Sequence, residues 1–562
     1  MSADYINVEI RARPSTPADR VIRNQKQREH VKQLWIFLAC VLFTLTVIRF
    51  LRYVVSRLTR NHEERPPSTD RDDKESNKQE PLATSAFYRL RMALASGFRI
   101  LFFRKSIPIG PGSIASLSEL SFILIYIAAM FIWLLVDTRD LWAVMYQDRA
   151  AHLASSQLPL IVALAGKNNL ISWMTGISHE RLNVLHRAAA RTNFIFLWMH
   201  AITRVVSGLP PQFDFTHNWM RSGAVGLGAF TIATFLSIRP IRHVAFEFFL
   251  VTHIVFIFIF LVAGYWHAKA QNMGDYIWPG ILVWAFDRFL RVCRLVLNNR
   301  FWSRSHAGDA LVELLSEDTI RLTLTRRMSW TPGQHAYVIL PSVSQMPFEA
   351  HPFTIASIPS NANDKGENDV VFLIRGREGF TRRLREHAVT SPGSRVSAFL
   401  DGPYGCPPDL SQFTTCVLVA GGSGISYTLP LLLNLVRLSV NNDTSYVRRI
   451  VFVWAVRDAA HLQWISKTLV EALAQAPRNL TIDPRIYITG KAYPIPEVPT
   501  LSHSTPVDAQ STSSSSEKYI SSPDSELPVY SSLKLTHGRP SMKKLLHEEI
   551  ANAHGPVSVD GA

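Results

Sequence analysis

A run of about twenty apolar residues constrains a chain strongly, because it matches the hydrocarbon thickness of a bilayer. This sequence has seven such stretches, near 34–55, 116–136, 153–175, 184–206, 222–238, 243–263 and 277–292. The third is interrupted by Lys167, Asn168 and Asn169, which reads as a helix end or as a polar face turned into a bundle. Of the 562 residues, 47% are hydrophobic and 18% charged, which fits a membrane portion joined to a soluble one. A net charge of +15 then fits basic cytoplasmic flanks, and no RNA-binding or DNA-reading motif competes for it. Cys40, Cys293, Cys406 and Cys416 are scattered without a CxxC pair, so neither a disulfide framework nor a zinc site is supported. The start of the chain is polar and basic and has no cleavable signal pattern.

Orientation follows from Lys and Arg in the short loops. With seven spans, segment 52–114, the turn "RPIR" at 239–242 and the cluster Arg288, Arg291, Arg294 and Arg300 share one side, expected to be the cytosol. That leaves the N-terminus outside, against which its own Arg11, Arg13, Arg20, Arg23, Lys26 and Arg28 argue. The last span and the soluble domain attached to it carry more weight.

Two apolar stretches share an unusual detail. "VLHRAAARTNFIFLWMHA" (184–201) holds His186 and His200, and "LVTHIVFIFIFLVAGYWHA" (250–268) holds His253 and His267, fourteen residues apart in each case. Fourteen residues are just under four helical turns, so each pair points to nearly one face, about 21 Å apart along the axis. In the seven-span topology both helices run from the cytosol outward. His186 would then face His253 near the inner leaflet, and His200 would face His267 near the outer one. Each pair offers both axial nitrogens to a haem iron. The competing reading of one intramembrane histidine is a hydrogen-bonded interior residue. A metal-ion transporter is the main rival, but histidines about 20 Å apart cannot share an ion. His152, His179, His217 and His243 belong to no matched set.

Past residue 300 the pattern changes. "ALVELL", "IRLTLTR", "HAYVILP", "DVVFLIRG" and "RVSAFL" are short β-branched runs separated by turns, the signature of an antiparallel barrel or sandwich. "CVLVA", then "GGSGIS", then an apolar helical run to about 438, then "RIVFVWAVRD" and a helix near 459–474 read as a βαβ unit. The glycines of "VLVAGGSGIS" (417–426) let the backbone approach a pyrophosphate at a helix N-terminus. Residues 496–535 are rich in Ser, Pro and Thr and too polar to build a core.

The paired His helices followed by a barrel and a βαβ lobe resemble the fungal ferric-chelate reductase family, within the ferric reductase and NADPH oxidase superfamily, over roughly 110–560. The implied fold is an α-helical transmembrane bundle of about seven spans, a ferredoxin-reductase-like antiparallel β-barrel for FAD and an α/β NADPH lobe. The resemblance places His351, Pro352, Phe353 and Thr354 of "HPFTIAS" along the flavin. It places Gly379, Thr381 and Arg382 of "REGFTRRL" at the flavin pyrophosphate, where a solvated basic helix end is the plainer reading of the arginines. "DGPYG" (401–405) precedes the Gly-rich turn, where Gly421, Gly422, Ser423 and Gly424 would bind NADPH. Arg457 and Arg539 of "HGRP" would bind its 2′-phosphate, an ordinary surface arginine being the alternative for each. The four histidines would be the axial ligands of two b-type haems, as pairs 186/253 and 200/267.

The implied activity carries electrons from cytosolic NADPH to extracellular Fe(III) chelates or Cu(II), in the plasma membrane, with a vacuolar membrane as the other possibility. No residue stands out as a catalytic acid or base, and no dedicated iron site is visible, which fits outer-sphere reduction of a chelate. Two alternatives stay open: a superoxide-generating NADPH oxidase, and a catalytically silent reductase-like membrane protein. The second arises because family members follow the strand "PVSVD" (556–560) with a Cys-Gly-Pro turn, a helix and a C-terminal aromatic, whereas this sequence reads "VSVDGA". The expected organisation is an extramembrane N-terminus (1–33), a first span and basic cytosolic loop (34–110), the haem domain (111–298), the FAD barrel (299–410) and an incomplete NADPH lobe (411–562). Sequons at Asn442 and Asn479 fall in that last lobe and should carry no glycan if it is cytosolic.

Overall fold

A computed structural model describes residues 17–63, 106–109, 112–136, 143–206, 214–299, 309–359, 367–441, 445–490 and 534–562, with a few positions between 90 and 101. Asn442 and all but the last two residues of 496–535 lie outside the described residues; Lys534 and Leu535 begin a strand instead. The chain divides into two compact units, Met1–Arg294 and Leu295–Ala562.

The first unit is helical: α1 (Pro17–Glu63), a small hairpin of β1 (Ser106–Ile109) and β2 (Gly112–Ser116), α2 (Leu117–Leu135), α3 (Ala143–Ala165), α4 (Leu170–Thr175), α5 (His179–Val206), α6 (Asn218–Leu236), α7 (Arg239–Val244), α8 (Phe246–Lys269) and α9 (Trp278–Asn299), the last running on into the second unit. Among the described residues three helical stretches are long and apolar enough to cross a membrane: Asn24–Val54 of α1, α2 and α8. The long helices α3, α5, α6 and α9 carry charged groups within their apolar runs, such as Arg187 and Arg191 in α5 and Asp287, Arg288 and Arg291 in α9, so apolarity alone does not mark seven spans.

The interior packs Leu34, Met130, Leu153 and Phe196 from α1, α2, α3 and α5. A second cluster packs Leu158, Phe230 and Phe260 from α3, α6 and α8. The exterior shows Leu124, Ile132, Phe235, Phe258, Leu282 and Phe286. So much exposed apolar surface suits lipid and would be a liability in water. Helix α6 approaches α8 through small residues: a Cβ on Gly226 would lie 3.3 Å from the Gly264 nitrogen. The polar interruption of the third stretch is a helix end. Helix α3 stops at Ala165, and Asn169 caps α4 by accepting from the Ile171 N–H at 2.9 Å. The Asn168 N–H donates to the Asp287 carboxylate at 3.0 Å, tying the break to α9.

The second unit begins with two antiparallel sheets, ordered β7-β4-β3-β8 and β6-β5-β9. The strands are β3 (Ala310–Ser316), β4 (Thr319–Arg326), β5 (His335–Ile339), β6 (His351–Thr354), β7 (Asn368–Arg375), β8 (Arg395–Val396) and β9 (Phe399–Tyr404), with α10 (Gly379–Thr390) after β7. Period-two patterning explains β4: Ile320, Leu322 and Leu324 are buried while Arg321 and Thr323 are not.

A parallel five-stranded sheet follows: β10 (Thr415–Gly421), β11 (Arg449–Val456), β12 (Thr481–Ile488), β13 (Lys534–His537) and β14 (Val557–Gly561), in the order β13-β12-β11-β10-β14. Helices α11 (Ile425–Val440), α12 (Ser466–Gln475) and α13 (Met542–Ala551) accompany it. The strand order reverses between β10 and β14, so the C-terminal end of β10 is the switch point where open α/β sheets bind ligands.

Candidate functional site

The two histidine-bearing helices are α5 and α8. Each packs along a different neighbour, α5 along α3 and α8 along α6. At the end of α5 farther along the chain, the His200 and His267 rings lie 6.4 Å apart between centroids, inclined at 66°. Two imidazoles on opposite sides of one metal ion, each with its nitrogen about 2.0 Å away, put their centroids about 6.3 Å apart. The observed spacing therefore fits a shared ion. At the other end His186 and His253 lie within electrostatic reach of each other.

Backbone carbonyls orient these rings. His267 Nδ1–H donates to the Trp219 carbonyl at 2.9 Å, and His186 Nδ1–H donates to the Ile161 carbonyl at 2.8 Å. A carbonyl can only accept, so each Nδ1 carries the proton and each Nε2 keeps a lone pair for a metal. His253 Nδ1 is buried without a hydrogen bond of ordinary geometry among the described residues, and its ring leans on Phe249 at 5.3 Å. Space for the His267 ring comes from Gly223, where a Cβ would stand 2.5 Å from Nδ1. His152, His179, His217 and His243 have other surroundings. His179 pairs with Glu180 at 3.0 Å, His217 with Asp214 at 3.5 Å, and His152 meets the Tyr276 ring at 5.8 Å. His243 ends α7.

In the three-stranded sheet, β6 places His351, Pro352, Phe353 and Thr354 against β5. His351 stacks on the buried Phe380 at 4.2 Å, and Phe353 lies 6.3 Å from the same ring, so an aromatic stack forms beside the start of α10. His351 Nε2 meets the Glu349 carboxylate at 2.8 Å. Burial pushes the Glu349 carboxyl up, but the bonds from His351 and Gln345 and the nearby Arg383 outweigh it and leave it below its ordinary range. Gly379, at φ +51°, opens α10. The Thr381 hydroxyl accepts from the Arg377 N–H at 3.2 Å and donates to the Glu378 carbonyl at 2.9 Å, closing that turn. Arg382 turns along the helix to Glu386 at 2.9 Å, the solvated-helix reading of this residue. Arg383 is the cation that reaches the β6 region, 3.3 Å from Glu349 and bonded to the Val343 carbonyl at 3.0 Å. The sequence pointed to Arg382 and not to Arg383; helical phase, with Phe380, Leu384 and Ala388 buried, was the signal available for Arg383.

At the switch point Gly421 ends β10, and Gly422, Ser423 and Gly424 form a single turn into α11. Gly422 has φ +52°, and its carbonyl accepts from Trp454 Nε1 at 2.9 Å, which fixes the turn. A Cβ on Gly424 would stand 2.4 Å from the Ala562 carbonyl oxygen, so the β14 end lies against the same turn. Arg375, the last residue of β7, was not singled out from sequence. Its guanidinium lies 3.6 Å from a Cβ built on Gly422, and Asp318 holds it at 2.5 Å. Burial raises the Asp318 carboxyl, but the bonds from Arg375 and Thr319 leave it below its ordinary range. Arg457 follows β11 and Arg539 stands two residues beyond β13. The register Val456↔Ile488↔His537 sets both exposed arginines at the C-terminal edge of the sheet, just beyond strands that lie two spacings, about 10 Å, apart.

Residues 150–264 match the family described as ferric reductase like transmembrane component, 306–408 the FAD-binding domain, and 413–559 the ferric reductase NAD binding domain. The "Probable cell surface ferric reductase kap2" of Aspergillus oryzae is 31% identical over 359 residues, covering 61% of this chain and 47% of that protein. A "Probable ferric reductase transmembrane component" of Candida albicans is 26% identical over 427 residues, 73% and 59% of the two chains. "Ferric reductase transmembrane component 5" of Saccharomyces cerevisiae is 27% identical over 368 residues, 64% and 50%. The chain spans about half the length of the curated relatives it matches. With a ferric-reductase-like transmembrane component followed in order by an FAD-binding domain and a ferric reductase NAD binding domain, the chain belongs to the fungal ferric reductase family.

Proposed function

We propose that the chain is a multi-pass plasma-membrane metalloreductase of about seven spans, which oxidises cytosolic NADPH and reduces extracellular Fe(III) chelates or Cu(II). The observation that carries this reading is the His200–His267 spacing of 6.4 Å together with the carbonyl-held Nδ1 of His267. His186 with His253 and His200 with His267 would each hold a b-type haem through Nε2. The rings of His351 and Phe353, backed by the buried Phe380, with the N-terminus of α10 at Gly379, would hold FAD. Bound FAD and haem would supply the change from a two-electron hydride donor to one-electron carriers, which a ferric chelate requires.

The protein's own groups do the rest. The turn Gly422–Gly424 would offer backbone N–H groups to a pyrophosphate, with Arg375 alongside it, while the Gly421 N–H donates to the Ala562 carbonyl. Arg457 and Arg539 would distinguish NADPH from NADH at the sheet edge. The Glu349 carboxylate keeps one ring nitrogen of His351 and the Arg383 guanidinium in fixed positions. Membranes holding the full chain should show NADPH-dependent reduction of an impermeant Fe(III) chelate, and His200→Ala should abolish it. NADPH-driven superoxide release unaffected by saturating chelate would instead favour an oxidase.

A further inference from the structure

Helix α5 carries one more buried polar side chain on its histidine face. Asn193 stands seven residues after His186 and seven before His200. Seven residues are just short of two turns, so its side chain falls within about 20° of both histidines and about 10.5 Å along the axis from each. It is 0% exposed, and among the described residues neither its Oδ1 nor its Nδ2 has a hydrogen-bond partner. The hydroxyl of Thr192 beside it donates to the Ala188 carbonyl at 3.1 Å and does not serve it. The matching midpoint of α8, seven residues from His253 and seven from His267, is Phe260. That ring stacks on Phe230 at 4.5 Å and offers no conventional donor or acceptor.

A buried amide with nothing to bond keeps the whole desolvation cost of its donors and acceptor, and lipid offers no water to relieve it. Leucine would fill the same volume without that cost. The position midway between two metal-binding pairs supplies a reason for the amide. We propose that Asn193 is a positioning residue for electron transfer. Its amide hydrogen-bonds an oxygen held between the two histidine pairs, either a haem carboxylate or a trapped water, and so sets how an electron divides between the two sites. This rests on the haem reading given above.

The test is a potentiometric titration of the purified full chain loaded with haem, followed optically, for wild type, Asn193→Leu and Asn193→Asp. The Leu variant should keep low-spin bis-histidine spectra. The equilibrium constant for sharing an electron between the sites should shift at least threefold, about 28 mV at 59 mV per tenfold for one electron. The Asp variant should lower both potentials, because a nearby negative charge favours oxidised iron. Loading with haem dimethyl ester separates the two oxygen sources: the Leu effect persists unchanged if the partner is water and shrinks if it is a carboxylate, whose charge the ester removes. Unchanged potentials in the Leu variant, with a haem-free chain that melts higher than wild type, would overturn the proposal and make the amide a packing liability. A wild-type chain that binds no haem would sink the functional reading, and this inference with it.

Discussion

Gly223→Ala isolates one contact that the proposed outer site depends on. The added methyl would stand 2.5 Å from His267 Nδ1, 2.8 Å from Cε1 and 3.0 Å from Cγ, all atoms of a rigid ring. An ordinary contact is about 3.4 Å or more, so α6 must retreat from α8 or the ring must turn. Turning breaks the 2.9 Å bond to Trp219, a carbonyl on the same helix as the glycine. Overpacking costs about 1–3 kcal/mol, and a lost hydrogen bond about 0.5–1.5 kcal/mol. Alanine returns roughly 1 kcal/mol of helix propensity. The net cost is about 0.5–3.5 kcal/mol. Gly228 lies on the same helix with nothing within 4 Å of its built Cβ, so Gly228→Ala should stabilise by about 0.5–1 kcal/mol. The pair should therefore differ by about 1–4.5 kcal/mol in the denaturation of detergent-solubilised protein. Gly223→Ala alone should also weaken the low-spin haem spectrum. Equal shifts in both variants, or an unaltered spectrum, would refute the geometry.

Three further outcomes follow from the second unit. Glu549 on α13 is held by Arg449 at 2.9 Å and by Arg485 at 2.5 Å, and these bonds outweigh burial to keep its carboxyl below the ordinary range. Glu549→Gln should cost about 1–3 kcal/mol near neutral pH, the lower part of that range allowing for solvent around Arg449. The unfolded chain binds the proton more readily, so this stability is present above about pH 4.3 and fades as pH falls through the depressed folded value; the two melting curves should converge in acid. Parallel curves down to low pH would contradict this. Burial pushes the Cys416 thiol up to about 12 whereas Cys406 is exposed, so native-state alkylation read by mass spectrometry should label Cys406 and spare Cys416. Comparable labelling would be inconsistent with a buried β10. Arg457→Gln or Arg539→Gln should raise KM for NADPH at least tenfold and leave KM for NADH nearly unchanged, and equal losses with both nucleotides would remove the 2′-phosphate role.

Periodicity made much of the fold legible. The apolar runs, the alternation in "IRLTLTR" and the β-branched "RIVFVWAV" each bury one face or two, so their patterns report their surroundings. Strand β12 was missed because Asp483 and Pro484 break its apolar run. Pro484 is tolerated because β13 joins only from Arg485, and Asp483 because Arg449, Arg485 and Lys534 surround it. The first half of strand β13, Lys534 and Leu535, was read as the end of a polar insertion, since all four of its residues are exposed and no apolar face announces it. The histidine spacing was readable because a helix converts sequence distance into direction. Arg375 and Glu349 were not readable, because their partners Asp318 and Arg383 are brought to them by β-strand pairing and helix packing.

Reduced-minus-oxidised absorption spectra of membranes containing the full chain test the two-haem reading most directly. Wild type should show low-spin b-type bands from two haems per chain. His200→Ala should lose one of the two, retain the other and stop reducing external Fe(III). A wild-type chain without low-spin bands, or a His200→Ala variant that keeps both haems and full Fe(III) reduction, would contradict the assignment of these histidines.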